Sequence, residues 1–179
     1  MVSTILSQNT NDTNRDRAFE ALKARFSSWE TVRDAPVEQV VDAIRPAGLA
    51  NQKGPRIQAA LRLITEEQGA ITLDLLDDMS VEDGKAWLTK INGIGPKTAA
   101  IILLFAFNKP AFPVDTHVHR VSRRLGLVPR STPAERAQPL LEKQIAPRDR
   151  YAAHVLFITH GRVTCHARRP DCGACVLSD

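Results

Sequence analysis

A short glycine-containing segment between two helical patterns constrains the fold of this chain more than any other feature. Residues 90–99 read KINGIGPKTA. Gly93 and Gly95 can adopt backbone angles that are closed to other residues, and Pro96 suits the first position of a helix. The flanking apolar spacing predicts a helix-hairpin-helix over about residues 81–107, with helices at 81–90 and 98–107.

The rest of the chain repeats the apolar spacing of amphipathic helices. Ile57, Leu61 and Ile64 fall at i, i+4 and i+7. Pro36 and Pro133 each suit the first position of a further helix. Additional helices are expected over 2–6 and 151–160, and no segment shows the alternation of a strand. The sequence therefore predicts an all-α fold.

The hairpin suits an anionic partner. The N–H groups at the start of a helix have no partner within the helix, so they bind phosphate without reading base sequence. The formal net charge is +4, and many of the arginines lie after the hairpin. This distribution favours a polyanion such as DNA, although an ordinary helix–helix turn and a solvated basic surface would give the same pattern.

Two residues near the hairpin have the chemistry of a catalytic pair. Lys97 lies in the first turn of the second helix, where its amine is either a Schiff-base nucleophile or a solvated phosphate contact. Asp115 follows eighteen residues later, as N-cap of a basic helix whose buried stripe is Val118, Val121 and Leu125. A capping carboxylate can also face a cleft and accept a proton or stabilise positive charge on a sugar.

Three cysteines close the sequence in a C-x6-C-x2-C pattern: Cys165, Cys172 and Cys175. Their clustering does not resemble a disulfide scaffold and favours a reducing, cytoplasmic setting. From the residues alone, the three thiols either bind a metal or remain reduced and free. A zinc site would recruit His160 or His166. No segment predicts a signal peptide or a membrane span.

The segments INGIGPKTA, VDTHVHRV, HGRVTC and the cysteine run together resemble the endonuclease III family of helix-hairpin-helix DNA glycosylases. The resemblance covers essentially the whole chain. It implies two helical lobes with a DNA-binding cleft between them, with boundaries at 1–110 and 111–179. It also implies that Lys97 is the nucleophile and Asp115 its essential partner.

The same resemblance implies a set of DNA contacts. Leu49 corresponds to a leucine that the family inserts into the duplex, and Gln8 or Asn9 corresponds to a polar residue that fills the vacated space in the base stack. The resemblance leaves open which of the two fills it. The expected backbone contacts are Gly93, Gly95, Arg120, Arg168 and Arg169.

The cysteine run implies a four-cysteine [4Fe–4S] cluster with Cys165, Cys172 and Cys175 as ligands. The spacing puts the fourth ligand at position 181, whereas the sequence ends at residue 179. We therefore expect the C-terminal lobe to be truncated and the cluster loop to be incomplete. The N-terminus is expected to be cropped as well.

The resulting prediction is a monomeric base-excision repair enzyme, nucleoid-associated if bacterial. It would act as a DNA glycosylase with abasic-site (β-elimination) lyase activity on oxidised pyrimidines in duplex DNA. An adenine-mismatch glycosylase of the same fold is the first alternative, but that branch has no lysine at the position of Lys97. The 8-oxoguanine branch has the lysine but lacks the cysteine run. A non-catalytic helix-hairpin-helix DNA-binding protein is the third alternative. The sequence does not indicate the preferred damaged base.

Overall fold

The computed structural model describes residues 1–178, which form helices joined by short loops and contain no strand. Two 3-10 turns, Arg45–Ala47 and Pro147–Asp149, accompany the α-helices. The α-helices of this part of the chain are α1 (Val2–Leu6), α2 (Asp12–Arg25), α3 (Trp29–Asp34), α4 (Val37–Ala43), α5 (Ala50–Gln68), α6 (Leu75–Asp78), α7 (Val81–Leu88), α8 (Pro96–Ala106), α9 (Thr116–Arg124), α10 (Ala134–Gln144) and α11 (Arg150–Val163). The all-α prediction is confirmed, and none of these helices is long and apolar enough to cross a membrane.

The chain divides into two compact units, Met1–Ile102 and Leu103–Asp179, and the division falls inside α8. The predicted helices are present, with small shifts at their starts. Pro36 and Pro133 are the N-cap residues of α4 and α10 rather than their first helical residues. Since proline has no N–H to place in a helix, both positions suit it.

The first unit is built around α5, which packs against α3 and α4. Its predicted stripe is buried, with Ile57, Leu61 and Ile64 each at most 1% exposed. Helices α4 and α5 approach closely at Gly54, where an added Cβ would lie 2.8 Å from Val41 Cγ2. A larger residue at position 54 would therefore force the two helices apart.

The core of the second unit joins the segment before α9 to α9, α10 and α11. Its buried members are Phe112, Val114, Val118, Val128, Ala137 and Leu141. Val118 and Val121 are buried as predicted, but Leu125 is 37% exposed. The prediction was wrong for Leu125 because α9 ends at Arg124, and the C-cap position turns away from the buried stripe.

Candidate active site

The hairpin connects α7 to α8 and is anchored by two buried isoleucines, Ile91 and Ile94. Gly93 has φ +88°, a left-handed conformation that favours glycine. A Cβ at this position would also lie 2.9 Å from Arg56 Cδ, so a side chain would collide with the arginine stem. Helix α8 begins at Pro96, as predicted. The turn therefore has the backbone geometry and the exposed helix start that a phosphate site requires.

Lys97 is exposed in the first turn of α8. The residues that follow it, Thr98, Ala99 and Ala100, are buried and fix the helix start on the core of the first unit. The Lys97 side chain forms no hydrogen bond or ion pair with any residue of 1–178. Its amine is therefore accessible to a solute and is free to act as a nucleophile or as a phosphate contact.

Asp115 lies in the second unit as the N-cap of α9, which confirms the predicted capping role. Its Oδ1 accepts a hydrogen bond from the Val118 N–H at 2.7 Å. The residue is half-buried, and within residues 1–178 its Oδ2 has no hydrogen bond. Because one oxygen holds the helix start and the other remains available, capping and proton transfer can coexist in one carboxylate.

Gln8 and Asn9 follow α1 and differ in their surroundings. The Gln8 amide Nε2 donates to the hairpin carbonyl of Gly93 at 2.8 Å and to Thr98 Oγ1 at 3.4 Å. Asn9 is exposed and has a left-handed backbone, with φ +52°. Gln8 therefore links its loop to the hairpin, whereas the Asn9 side chain is free to enter a duplex.

Leu49 immediately precedes α5 and is 48% exposed. Its backbone is left-handed, with φ +50° and ψ +32°, and the preceding Gly48 also has a positive φ of +66°. A left-handed conformation is unfavourable for a leucine, so the surrounding structure must hold it in place. The result is an apolar side chain presented on a sharp, fixed turn.

Lys53 is a buried residue, bonded next to the two loops of the predicted DNA contacts, that sequence reasoning did not identify. It is 1% exposed, and its Nζ donates to two backbone carbonyls, those of Leu6 and Ala47, each at 2.8 Å. The signal was present in the sequence, because extending the α5 stripe back from Ile57 by four residues reaches this lysine. A charged residue on an otherwise apolar face indicates a specific buried partner.

The three cysteines lie after α11, with Cys165 and Cys175 half-buried and Cys172 exposed. Cys175 Sγ is 3.7 Å from His160 Nε2. Within residues 1–178, no three His, Cys, Asp or Glu side chains come together in a metal-binding arrangement, and this holds for the three cysteines as well as for a zinc set that includes His160 or His166. Iron–sulfur clusters are bound by cysteine thiolates, so these side chains are ligands of the right type for a cluster, and the chain supplies three of them.

Two arginines of α9 organise the start of the cysteine loop. Arg120 donates to the carbonyls of Cys165 at 3.0 Å and Gly161 at 2.7 Å. Arg124 donates to Cys165 Sγ at 3.2 Å and to the next two carbonyls of the loop. These bonds occupy most of the Arg120 donors, so its direct contact with DNA stays a prediction.

The two other arginines predicted to bind DNA lie inside the cysteine loop. Arg168 and Arg169 are both exposed. Arg169 has a left-handed backbone, with φ +52°. Neither guanidinium forms a hydrogen bond or ion pair within the described residues. Both side chains are therefore available to a phosphate.

Comparison with known proteins gives matches over nearly the whole chain. Residues 2–147 match the family model described as the HhH-GPD superfamily base excision DNA repair protein. Residues 165–179 match the iron–sulfur binding domain of endonuclease III.

Endonuclease III of Sulfolobus acidocaldarius is 35% identical over 181 residues, which cover 100% of this chain and 78% of that protein. An Arabidopsis thaliana relative, whose name places it among DNA glycosylases, is 35% identical over 94% of this chain, and the chain spans 58% of its length. The solved structure of a trapped endonuclease III–DNA covalent intermediate matches with a TM-score of 0.83 at 28% identity, over 98% of this chain and 78% of that one.

Proposed function

Because the chain belongs to the endonuclease III family and is a base-excision DNA glycosylase with abasic-site lyase activity, we propose that it acts on oxidised pyrimidines in duplex DNA, with Lys97 as its nucleophile. The observation that carries this assignment is the exposed, unpaired Lys97 amine in the first turn after the glycine hairpin. The hairpin binds the backbone, and the amine lies at the end of the same segment. One short segment thereby supplies both the contact to the DNA backbone and the nucleophile.

The first chemical step is displacement of the damaged base. The neutral Lys97 amine attacks C1′ of the extruded nucleotide, the C1′–N bond breaks, and the base leaves with the bonding pair and a proton. The attacking nitrogen loses its extra proton to the Asp115 carboxylate, the proposed acceptor, and the protonated carboxyl then supplies the proton that the departing base takes up. The same carboxylate stabilises the positive charge that develops on the sugar as the base departs.

The second step cuts the strand. Opening of the sugar ring converts the C1′ adduct into a protonated Schiff base with Lys97. Loss of a proton from C2′ then expels the 3′ phosphate by β-elimination. Water hydrolyses the imine and restores the lysine, so the balance needs no oxidant or reductant.

Base extrusion requires the duplex to be held open. We assign Leu49 as the apolar wedge, since it is exposed on a fixed turn. Of the two residues left open by the sequence, Asn9 is the better candidate to fill the gap, because the Gln8 amide is already bound to the hairpin. Gln8 then acts by keeping its loop against the hairpin.

A [4Fe–4S] cluster is supported by the match of residues 165–179 to the iron–sulfur domain, with three cysteines of this chain as ligands. When bound, the cluster supplies structural order to the loop that carries Arg168 and Arg169. These arginines then contact the DNA backbone. We further propose that the enzyme acts as a monomer and, if bacterial, is associated with the nucleoid.

Covalent trapping tests the nucleophile. The protein is incubated with a duplex that contains thymine glycol, and borohydride is added to reduce the Schiff base to a stable crosslink. We expect a crosslinked band for the wild type and its loss in Lys97→Gln. Lys90→Gln is the matched control, because Lys90 is an exposed lysine on the other side of the hairpin.

Each outcome of the trapping experiment has a defined meaning. Persistence of the band in Lys97→Gln would overturn the nucleophile assignment. Loss of the band in both Lys97→Gln and Lys90→Gln would indicate that these lysines act by binding the DNA backbone, and Lys97 would then not be identified as the nucleophile. Parallel duplexes with 8-oxoguanine or an adenine mismatch test the substrate class, and faster cutting of either would refute the preference for oxidised pyrimidines.

A further inference from the structure

Lys53 is the most deeply buried charged side chain of the first unit and has no carboxylate partner. It is 1% exposed, and among residues 1–178 it forms no ion pair. Removing an ammonium from water costs several kcal/mol of hydration free energy, of order 3 or more even after relaxation. A methionine would fill much the same space without that cost. The lysine must therefore provide something that packing alone does not.

Its two hydrogen bonds show what it provides. The Nζ atom donates to the carbonyl of Leu6, the last residue of α1, and to the carbonyl of Ala47, the last residue of a 3-10 turn. Each carbonyl lies just before a loop that contains a left-handed residue, Asn9 with φ +52° and Leu49 with φ +50°. One ammonium thus joins the starting points of two loops that are more than forty residues apart in sequence.

These are the two loops to which the proposed function assigns entry into the duplex. The link continues to the hairpin, because the Gln8 amide of the first loop donates to the carbonyl of Gly93. The wedge, the gap-filling residue and the phosphate-binding turn are therefore connected through backbone carbonyls and two side chains. Such a network fixes relative positions more tightly than apolar contacts, since each bond has a preferred direction and length.

We propose that Lys53 is a positioning residue that fixes the distance between the Leu49 loop and the Asn9 loop, so that both can enter the duplex at the same time. This inference rests on the proposed function, because it gives Lys53 a role only if both loops enter DNA. Lys53 does not touch the substrate. It acts by setting the distance between a wedge and a gap-filling side chain before DNA is bound.

The chain contains a matched control in the same helix. Gln58 is also buried on α5, 3% exposed, and its Nε2 donates to two backbone carbonyls, those of Val32 at 2.9 Å and Ala35 at 2.7 Å. These carbonyls belong to α3 and its C-cap, away from both duplex-entering loops. Gln58→Met therefore removes the same kind of interaction without changing the relative position of the Leu49 and Asn9 loops.

The experiment compares Lys53→Met with Gln58→Met on a thymine glycol duplex that carries 2-aminopurine next to the lesion. Both variants are assayed under conditions in which each is fully folded. Lys53→Met is expected to lower the 2-aminopurine signal of base extrusion and to slow single-turnover base release by about 10- to 100-fold relative to Gln58→Met, because an ångström-scale misplacement has effects of that size. Binding to undamaged duplex should stay unchanged, and Lys53→Arg should recover most of the loss.

Equal rates for Lys53→Met and Gln58→Met would overturn the positioning role and leave Lys53 as an ordinary core contact. Failure of the proposed function gives a different result, since the wild type itself would then form no borohydride crosslink. If Lys53 variants do not fold, hydrogen exchange of the wild type decides. The Gln8 and Gly48 amides, one near each loop start, should then open with the same free energy, and two unrelated values would contradict the link.

Discussion

Asp115 combines a cap and a proposed catalytic carboxylate, and two substitutions can separate these roles. In Asp115→Asn the amide oxygen can still accept the 2.7 Å bond from the Val118 N–H, so the helix keeps its cap while the negative charge is lost. In Asp115→Ala both the cap and the charge are lost. The pair therefore measures helix stability and chemistry independently at one position.

The expected magnitudes follow from the contacts. Loss of an N-cap side chain costs typically about 1 kcal/mol of the free energy of unfolding, and loss of a negative charge at a helix start costs about 0.3–1 kcal/mol. Asp115→Asn should therefore lower the free energy of unfolding by about 0.5 kcal/mol and Asp115→Ala by about 1.5 kcal/mol. Both should lower single-turnover base release by about 10²- to 10⁴-fold, the range of general acid–base catalysis.

Urea denaturation followed by circular dichroism gives the first quantity, and quenched single-turnover assays give the second. Ser28→Ala is the control for cap loss, because Ser28 Oγ caps α3 and has no role in the proposed chemistry. It should match the cap contribution of Asp115→Ala and leave the rate unchanged. If Asp115→Asn kept near wild-type base release, the carboxylate would be only a cap, and the catalytic assignment would be refuted.

Three further perturbations have directions fixed by the structure. Gly54→Ala should lower the free energy of unfolding by about 1 kcal/mol, measured by urea denaturation, because the clash with Val41 outweighs the gain in helix propensity. A stabilised variant would contradict the close approach of α4 and α5. Burial lowers the pKa of the Lys53 amine below its ordinary value of 10.5, so the unfolded chain binds more protons in the window below that value. The free energy of unfolding of the wild type, measured relative to Lys53→Met, should therefore rise as the pH increases toward 10.5, and a fall would reverse the assigned sign. Arg124→Gln should accelerate amide exchange over residues 164–171 by removing bonds to Cys165 Sγ and two loop carbonyls, whereas unchanged exchange would show that the loop is held by other contacts.

The sequence predicted the elements of the site better than their connections. The glycine pattern predicted the hairpin and the start of α8 at Pro96, and the apolar spacing after Asp115 predicted its capping role, because each depends on local backbone chemistry. The prediction that Leu125 is buried was wrong. The exposure of a residue at a helix end depends on where the helix terminates, and the sequence specifies helix boundaries only weakly.

The interactions of Gln8 and Lys53 illustrate what a single sequence cannot provide. Gln8 bonds to a carbonyl eighty-five residues away, and a backbone carbonyl has no residue-type signature. The proposal of Asn9 over Gln8 therefore rests on a three-dimensional contact that the sequence does not contain. Lys53 was detectable as a charge on an apolar stripe, but its two acceptors were not.

The left-handed backbone of Leu49 sets stability against the wedge role proposed for this residue. Glycine adopts this conformation without the penalty of roughly 1–2 kcal/mol that a leucine incurs. Because the side chain is 48% exposed, the apolar burial lost on truncation offsets only part of that relief. Selection for heat resistance alone would therefore favour replacing Leu49 with glycine or asparagine. Under the proposed wedge role, selection for repair would retain the leucine, and the frequency of each residue among laboratory-evolved variants would report which pressure had acted.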